Sequence, residues 1–244
     1  MARTHPPPLA LMHRFHCTGL HAAEVALPEE EAAHALRVLR LRDGDAVELV
    51  DGAGIEADGV LHRIGRHEVH VRIGDRRTHP AAPTTLHLAV APTKQAERFE
   101  WFVEKAVEVG VERITPLATA RTERGHLRTD RLQRVAVSAM KQSRRAWLPR
   151  IDDLTTLDAL LQQAPRGQRF VAHAFGDPAP LMNVFAPAED ALLLVGPEGD
   201  WTDAELRMLL EAGFRTVGLG AARLRTETAA LAACTWMSLA RQRR

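Results

Sequence analysis

The chain has 244 residues, room for one large domain or a small one joined to a medium one, and its 45% hydrophobic and 26% charged content is ordinary for a globular protein. No run approaches the roughly eighteen consecutive apolar residues of a membrane span, Met1 to Pro8 contains no apolar secretory core, and Cys17 and Cys234 lack C-x-x-C spacing, so the expectation is a cytoplasmic protein without a disulfide framework. A net charge of +1 announces no polyanionic partner, and the excess of arginine over Lys94, Lys105 and Lys141 is explained as well by genomic base composition as by phosphate binding. From Arg14 to about Arg77 the segments are short and alternate apolar with polar residues, as half-buried antiparallel strands around a small barrel do. Ala46–Val50 ends at a turn with Asp51, Gly52 and Gly54, and Val60–Ile64 and Val69–Ile73 follow as further strands. A helix is predicted over Glu29–Leu39, opening after Pro28 as an N1-like proline with acids in the first turn.

After the proline-containing stretch His79–Pro83 the rhythm changes to strand and helix in alternation. Leu86–Ala91 reads as a strand; Gln95–Val109 reads as a helix with its apolar stripe at Phe99, Phe102, Val103, Ala106 and Val107, stopped by Gly110. Val111–Leu117 is a strand, Asp130–Arg144 and Thr156–Gln163 are helices, and Arg169–Ala174 is a strand. Ala191–Val195 is apolar throughout, as a strand covered on both faces should be. Thr202 with Glu205 makes a capping box for a helix ended by Gly213, Phe214–Leu219 returns as a strand, and Glu227–Arg241 is the terminal helix. The second region is therefore a parallel α/β domain.

In such sheets ligands bind outside the carboxyl ends of the strands. Two ends stand out. Gly196-Pro197-Glu198-Gly199 follows the Ala191–Val195 strand, with glycines that let backbone approach a ligand and a carboxylate between them that a plain turn does not require. Leu219 to Thr228 crowds polar and charged residues at the next end, where Thr226 and Glu227 would also serve simply to start a helix. Walker, G-x-G-x-x-G, G-x-S-x-G and H-E-x-x-H patterns are all missing, which argues against nucleoside triphosphate, NAD, hydrolase and metal readings.

Several ordered blocks together resemble one family: His34-Ala35-Leu36-Arg37-Val38-Leu39-Arg40, Gly44-Asp45, Lys105 to Val111, Gln142 with Arg145, Gly196 to Gly199, and Leu224-Arg225-Thr226-Glu227-Thr228-Ala229. The chain resembles the RsmE family of the SPOUT superfamily, bacterial methyltransferases acting on N3 of a uridine in 16S ribosomal RNA. The resemblance implies an α/β fold class with a PUA-like β-barrel over 1–78 for RNA and a trefoil-knotted parallel α/β domain over 84–244 for S-adenosyl-L-methionine. It also implies a homodimer and a ribosomal RNA partner in the small subunit. Asp200 stands where the family usually has a second glycine, and Ala222-Arg223 where it usually has Arg-Ile.

On this reading Arg225 stabilises the developing anion, and Glu198 or Glu227 takes a proton. The cofactor is held by His173, Leu194, Gly196, Pro197, Glu198, Gly199, Leu219, Gly220, Leu224, Thr226 and Thr228. RNA contacts are expected from Arg14, Arg37, Arg40 and Arg42 near the barrel and from Arg121, Arg124, Arg144 and Arg145 beside the catalytic domain. The competing readings are a non-catalytic assembly factor that binds ribosomal RNA through the same fold, and a SPOUT methyltransferase that acts on another RNA.

Overall fold

A computed structural model describes residues 12–64, 68–123, 127–163 and 167–242. The chain divides into two compact units. The first runs to Ala81 and takes in Met140–Leu148; the second comprises Ala82–Ala139 and the chain from Pro149 onward. Met140–Leu148 thus completes the first unit, although it lies well inside the stretch that sequence assigns to the second domain.

The first unit is built on β1 (Arg14–His16), β2 (Glu24–Ala26), β3 (Ala46–Val50), β4 (Ile55–Ile64) and β5 (Glu68–Thr78), paired in the order β1-β3-β4-β5-β2. β1 runs parallel to β3 and the other pairs are antiparallel. All five strands send apolar side chains into one cluster that includes Phe15, Val25, Leu49, Leu61 and Val71, so the sheet curls about a single core. β4 and β5 are longer than their alternation predicts, because a bulge at Ala57/Gly59 carries the ladder through residues that break it. Gly59 is needed there: a Cβ would lie 2.4 Å from Val71 Cγ1. α1 (Glu29–Ala33) starts with Pro28 at the N-cap rather than N1 and passes directly into a π-turn, His34–Val38.

Buried ions knit this unit together. The Arg14 side chain is 5% exposed and pairs with Glu56, while its Nη2 donates to the carbonyl of Arg145 at 3.0 Å. Arg144 and Arg77 reach the buried Glu48 at 2.9 and 3.1 Å, and Lys141 reaches Glu31 at 2.6 Å. Burial pushes the Glu56 carboxyl up, but the charge of Arg14 and the hydrogen bond from His79 outweigh it and hold it below the ordinary range. The turn after β3 is closed by the 140–148 segment too, through Gly54 N to Ala146 O and Leu148 N to Gly52 O.

The second unit contains β6 (Leu86–Val90), α2 (Ala96–Val109), β7 (Arg113–Ala118), most of α3 (Thr129–Gln142), β8 (Arg150–Ile151), β9 (Thr155–Thr156), α4 (Leu157–Gln162), β10 (Gln168–Ala172), α5 (Leu181–Val184), β11 (Ala191–Val195), α6 (Asp203–Glu211), β12 (Arg215–Val217) and α7 (Thr226–Gln242). The strands form one parallel sheet ordered β12-β10-β11-β6-β7-β8, with β9 also on β7. β6 and β11 lie inside it and are buried at every position; β11 is apolar throughout, while β6 carries the buried His87 among apolar residues. α2 buries Phe99, Phe102, Val103, Ala106 and Val107, the predicted stripe, and ends at Gly110 in the left-handed region with φ 108°. No helix among the described residues is long and apolar enough to cross a membrane.

Candidate functional site

β11 lies between β10 and β6, and β12 flanks β10 on its other side. Parallel strands send their carboxyl ends to one edge, so the chain leaving β10 at His173, β11 at Gly196 and β12 at Gly218 emerges side by side. α2 begins just beyond the same end of β6, which brings its first turn to that edge.

The loop Gly196–Trp201 is fastened from several directions. Trp201 Nε1 donates to the carbonyl of Ala172 at 3.0 Å, and its ring covers Gly196, where a Cβ would come within 3.0 Å of the indole. That glycine serves the packing of Trp201, a different reason from the ligand approach suggested by sequence. Asp200 adopts a left-handed conformation with φ 59°, which short polar side chains tolerate by bonding locally. Its Oδ1 accepts from Trp201 N at 2.8 Å, and its Oδ2 lies 3.3 Å from His173 Nδ1. Arg121 donates to the carbonyls of Gly199 at 2.5 Å and Trp201 at 3.3 Å. At the far end, Thr202 and Glu205 form the expected capping box. Burial raises the Glu205 carboxyl, but amide donors from Ala120 and Thr202 and the Thr202 hydroxyl bring it below its usual value.

The second loop is tied to the first. Thr226 Oγ1 donates to the carbonyl of Gly196 at 3.0 Å in a buried contact. Next to it Glu227, with a side chain only 8% exposed, sits in the first turn of α7, where the positive end of the helix favours a carboxylate. Arg98, on the first turn of α2, faces both acids: Nε stands 3.9 Å from Glu227 Oε1 and Nη1 3.8 Å from Glu198 Oε1. Glu227 Oε2 is buried and has no hydrogen-bond partner. Leaving a buried acceptor unpaired costs roughly 1–3 kcal/mol, and more for a charged one, so this atom marks where a donor belongs. Thr226→Val, which keeps the shape and removes the hydroxyl, is expected to cost about 1–2 kcal/mol in a urea melt, because it leaves the Gly196 carbonyl without its buried donor.

Most sequence-predicted residues gather here: His173, Gly196, Pro197, Glu198, Gly199, Leu219, Gly220, Leu224, Arg225, Thr226, Glu227 and Thr228 lie on the three loops or at the head of α7. Gly220 has φ 117°, a conformation that favours glycine, and Arg225 and Thr228 are exposed. Leu194 does not join them. It sits inside β11, paired with Val171 and Ala89 on either side, and its side chain belongs to the core. Arg98 was not among the predicted residues; the signal for it was its place in the first turn of a helix that follows a parallel strand.

The arginines expected to meet RNA separate by burial. Arg37, Arg40 and Arg42 are exposed on and after the π-turn, a local widening often found at functional sites. Arg14 does not share that surface, because its guanidinium is buried against Glu56. Arg144 is paired with Glu48, Arg145 is half-buried with its carbonyl accepting from Arg14, and Arg121 is engaged with the Gly199–Trp201 backbone. Arg124 lies outside the described residues.

Known proteins match this chain in sequence and in fold. A family model for an RNA methyltransferase domain matches residues 80–238, and one for an RNA methyltransferase PUA domain matches residues 27–74. The ribosomal RNA small subunit methyltransferase E of Mycobacterium bovis is 33% identical over 215 residues, 84% of this chain and 82% of that protein. Its namesake from Bacillus subtilis is 28% identical over 89% of this chain and 90% of its own. The crystal structure of a ribosomal RNA small subunit methyltransferase E from Neisseria gonorrhoeae, bound to S-adenosyl methionine, superposes with a TM-score of 0.84 at 29% identity, covering 94% of this chain and 98% of that one.

Proposed function

The chain belongs to the ribosomal RNA small subunit methyltransferase E family, and on that footing we propose that it methylates N3 of a uridine in 16S ribosomal RNA, using S-adenosyl-L-methionine. When bound, that cofactor supplies a methyl group on a positively charged sulfonium. The observation that carries the reading is the junction of two strand-end loops, Thr226 bonded to Gly196, with a buried and unpartnered carboxylate oxygen of Glu227 beside it. A cationic ligand rich in hydrogen-bond donors fits that atom, and the backbone of Pro197–Gly199 and Leu219–Leu224 offers polar groups to an adenine and ribose.

The residues have distinct tasks in this reading. Arg225, exposed ahead of α7 and always charged, faces the anion that develops on the uridine carbonyls as N3 loses its proton. Glu198, exposed and near Arg98, receives that proton and passes it to water. Thr226, Trp201 and Arg121 keep the Gly196–Trp201 loop in a fixed shape, so little ordering is left for the moment of reaction. The first unit, from the amino-terminal strands to Thr78, is read as the RNA-binding PUA-like domain, with Arg37, Arg40 and Arg42 as phosphate contacts. The working form is read as a homodimer in the cytoplasm, acting on the small ribosomal subunit.

The test is transfer of radiolabelled methyl from S-adenosylmethionine to unmethylated small subunits, with large subunits and tRNA alongside. Label on a small-subunit uridine N3 alone is the expected outcome. Absence of transfer to all three by protein saturated with cofactor would leave the RNA-binding assembly factor as the better account.

A further inference from the structure

We propose that Arg98 is a catalytic and specificity-determining residue that donates to a uracil carbonyl beside N3, working with Glu198 as the acceptor of the N3 proton. This deepens the uridine-N3 reading and rests on it.

Arg98 is singled out by donors it does not spend. Among the described residues, the half-buried Arg14, Arg77, Arg113, Arg169 and Arg241 each donate to a carbonyl or carboxylate at 2.7 to 3.0 Å. The Arg98 side chain is likewise only 32% exposed, yet its guanidinium makes no hydrogen bond to a described residue. Its partners, Glu198 Oε1 at 3.8 Å and Glu227 Oε1 at 3.9 Å, stand at ion-pair range but beyond hydrogen-bond distance. Five N–H groups in a fixed fork are thus held at the carboxyl edge of the sheet without an acceptor. Glu198 matches this condition: its carboxylate is 56% exposed and accepts no hydrogen bond from a described residue.

A donor beside an acceptor suits one edge of uracil, where the N3–H is flanked by a carbonyl oxygen on either side. The local charge selects that ligand over a phosphate or a carboxylate. Arg98 with Glu198 and Glu227 already leaves one net negative charge, which a further full anion would double. A uracil carbonyl is neutral on arrival and gains charge only as N3 loses its proton. Cytosine fails on the same edge, because its N3 is an acceptor and its position 4 carries an amino donor. It would set a lone pair against Glu198 or N–H groups against Arg98.

The step balances without another reactant. The N3–H bond breaks, and its proton passes to Glu198 and on to water. The electron pair left on N3 forms the bond to the methyl carbon, and the carbon–sulfur bond it replaces breaks with its pair going to sulfur. In between, the charge spreads over both carbonyls that flank N3. With Arg225 at one of them, Arg98 serves the other.

Single-turnover methyl transfer at saturating S-adenosylmethionine tests this, on small subunits assembled from unmethylated 16S RNA that contains either uridine or 5-fluorouridine. Fluorine makes N3 more acidic, so less stabilisation of its anion is needed. Arg98→Met is expected to lower the rate about a hundredfold on uridine subunits and about tenfold or less on 5-fluorouridine subunits, with Arg98→Lys recovering part of the loss. Its affinity for S-adenosylmethionine in calorimetry should stay within about twofold of wild type, since the residue touches the base and not the cofactor. An unchanged rate, equal losses on the two RNAs, or a loss of cofactor affinity that matches the loss of rate would overturn the proposal. Wild type supplies a second measurement should Arg98→Met misfold. Cytosine N3 carries a free lone pair at neutral pH, so chemistry alone favours it as the methyl acceptor. Small subunits with cytidine at the labelled position are nonetheless expected to react at least about a thousandfold more slowly than those with uridine. A cytidine rate within about tenfold of the uridine rate would overturn the proposal. Wild type that binds cofactor but labels no uridine N3 would bring down the underlying reading instead.

Discussion

Arg225→Ala is expected to lower the single-turnover rate of methyl transfer by about two to three orders of magnitude while cofactor affinity and thermal stability stay close to wild type. Arg225 is exposed and precedes the first residue of α7, so its removal opens no cavity and strands no buried partner. Surface changes of that type usually shift stability by less than about 0.5 kcal/mol. On the proposed reading, what the variant loses is a permanent cation near a base whose N3 must shed a proton before it can attack. Arg225→Lys keeps the charge but not the planar fork, so partial recovery is expected. Arg223→Ala, at an exposed neighbouring position, serves as the comparison and should fall far less. A rate unchanged by Arg225→Ala, at saturating cofactor and RNA, would take this residue out of the reaction.

The second large effect concerns acid. His87 on β6 is buried, and its Nε2 lies 2.7 Å from Thr115 Oγ1. Thr115 in turn donates to Asp152, which also accepts from Arg113 at 2.7 Å and Arg150 at 2.6 Å. A carboxylate can only accept, so the threonine proton points at Asp152 and the histidine must donate through Nε2. Nδ1 is then a bare acceptor, and it is buried without a partner. Burial, followed by the charge of Arg113, pushes His87 down to about 3.

An unfolded histidine titrates near 6.5, so between that pH and about 3 the unfolded chain binds a proton that the folded chain refuses. The stability tied to His87 is therefore complete above roughly pH 6.5 and drains away as the pH falls toward 3, on the order of 5 kcal/mol in all. Urea melts at pH 7 and 4.5 should differ by about 2–3 kcal/mol from this group alone. His87→Gln, which can still donate to Thr115 but does not titrate, should show a shallower decline. Asp152 has the same sign in a lower window. Burial raises it, but Thr115 and Arg113 prevail and hold it below 3.8, so its contribution is lost only as the pH falls further. Parallel wild-type and His87→Gln curves would show that His87 is not responsible.

Much of the second unit was legible because its signals are local and repeated. The α2 stripe, the unbroken apolar run of β11 and the Thr202–Glu205 cap each depend on residues within a few positions of one another. β1, β2, β8, β9 and α5 were not legible, since elements of two to four residues exist through their partners: β1 is a strand because it pairs with β3 some thirty residues later. Arginine posed the same difficulty in the site and in the barrel. Nothing local separates Arg14, buried against Glu56, from Arg37, which faces water, and nothing near Arg98 announces the two acids it meets about 100 and 129 residues away. Asp200 shows the opposite case. Its departure from the family's usual glycine was visible, but only the backbone shows that the position is left-handed and that the aspartate meets it by bonding to Trp201 N.

The Met140–Leu148 segment carries a consequence for biosynthesis. Glu31, Glu48 and the turn around Gly54 take partners from this stretch, so the amino-terminal unit lacks part of its ion-pair network until residue 148 has left the ribosome. At about 5–20 residues per second, the intervening chain takes several seconds to make, during which the five strands are complete but Glu31 lacks Lys141 and Glu48 lacks Arg144. The nascent barrel must stay soluble through that interval, and a gene truncated at the apparent domain boundary would reproduce the waiting state permanently.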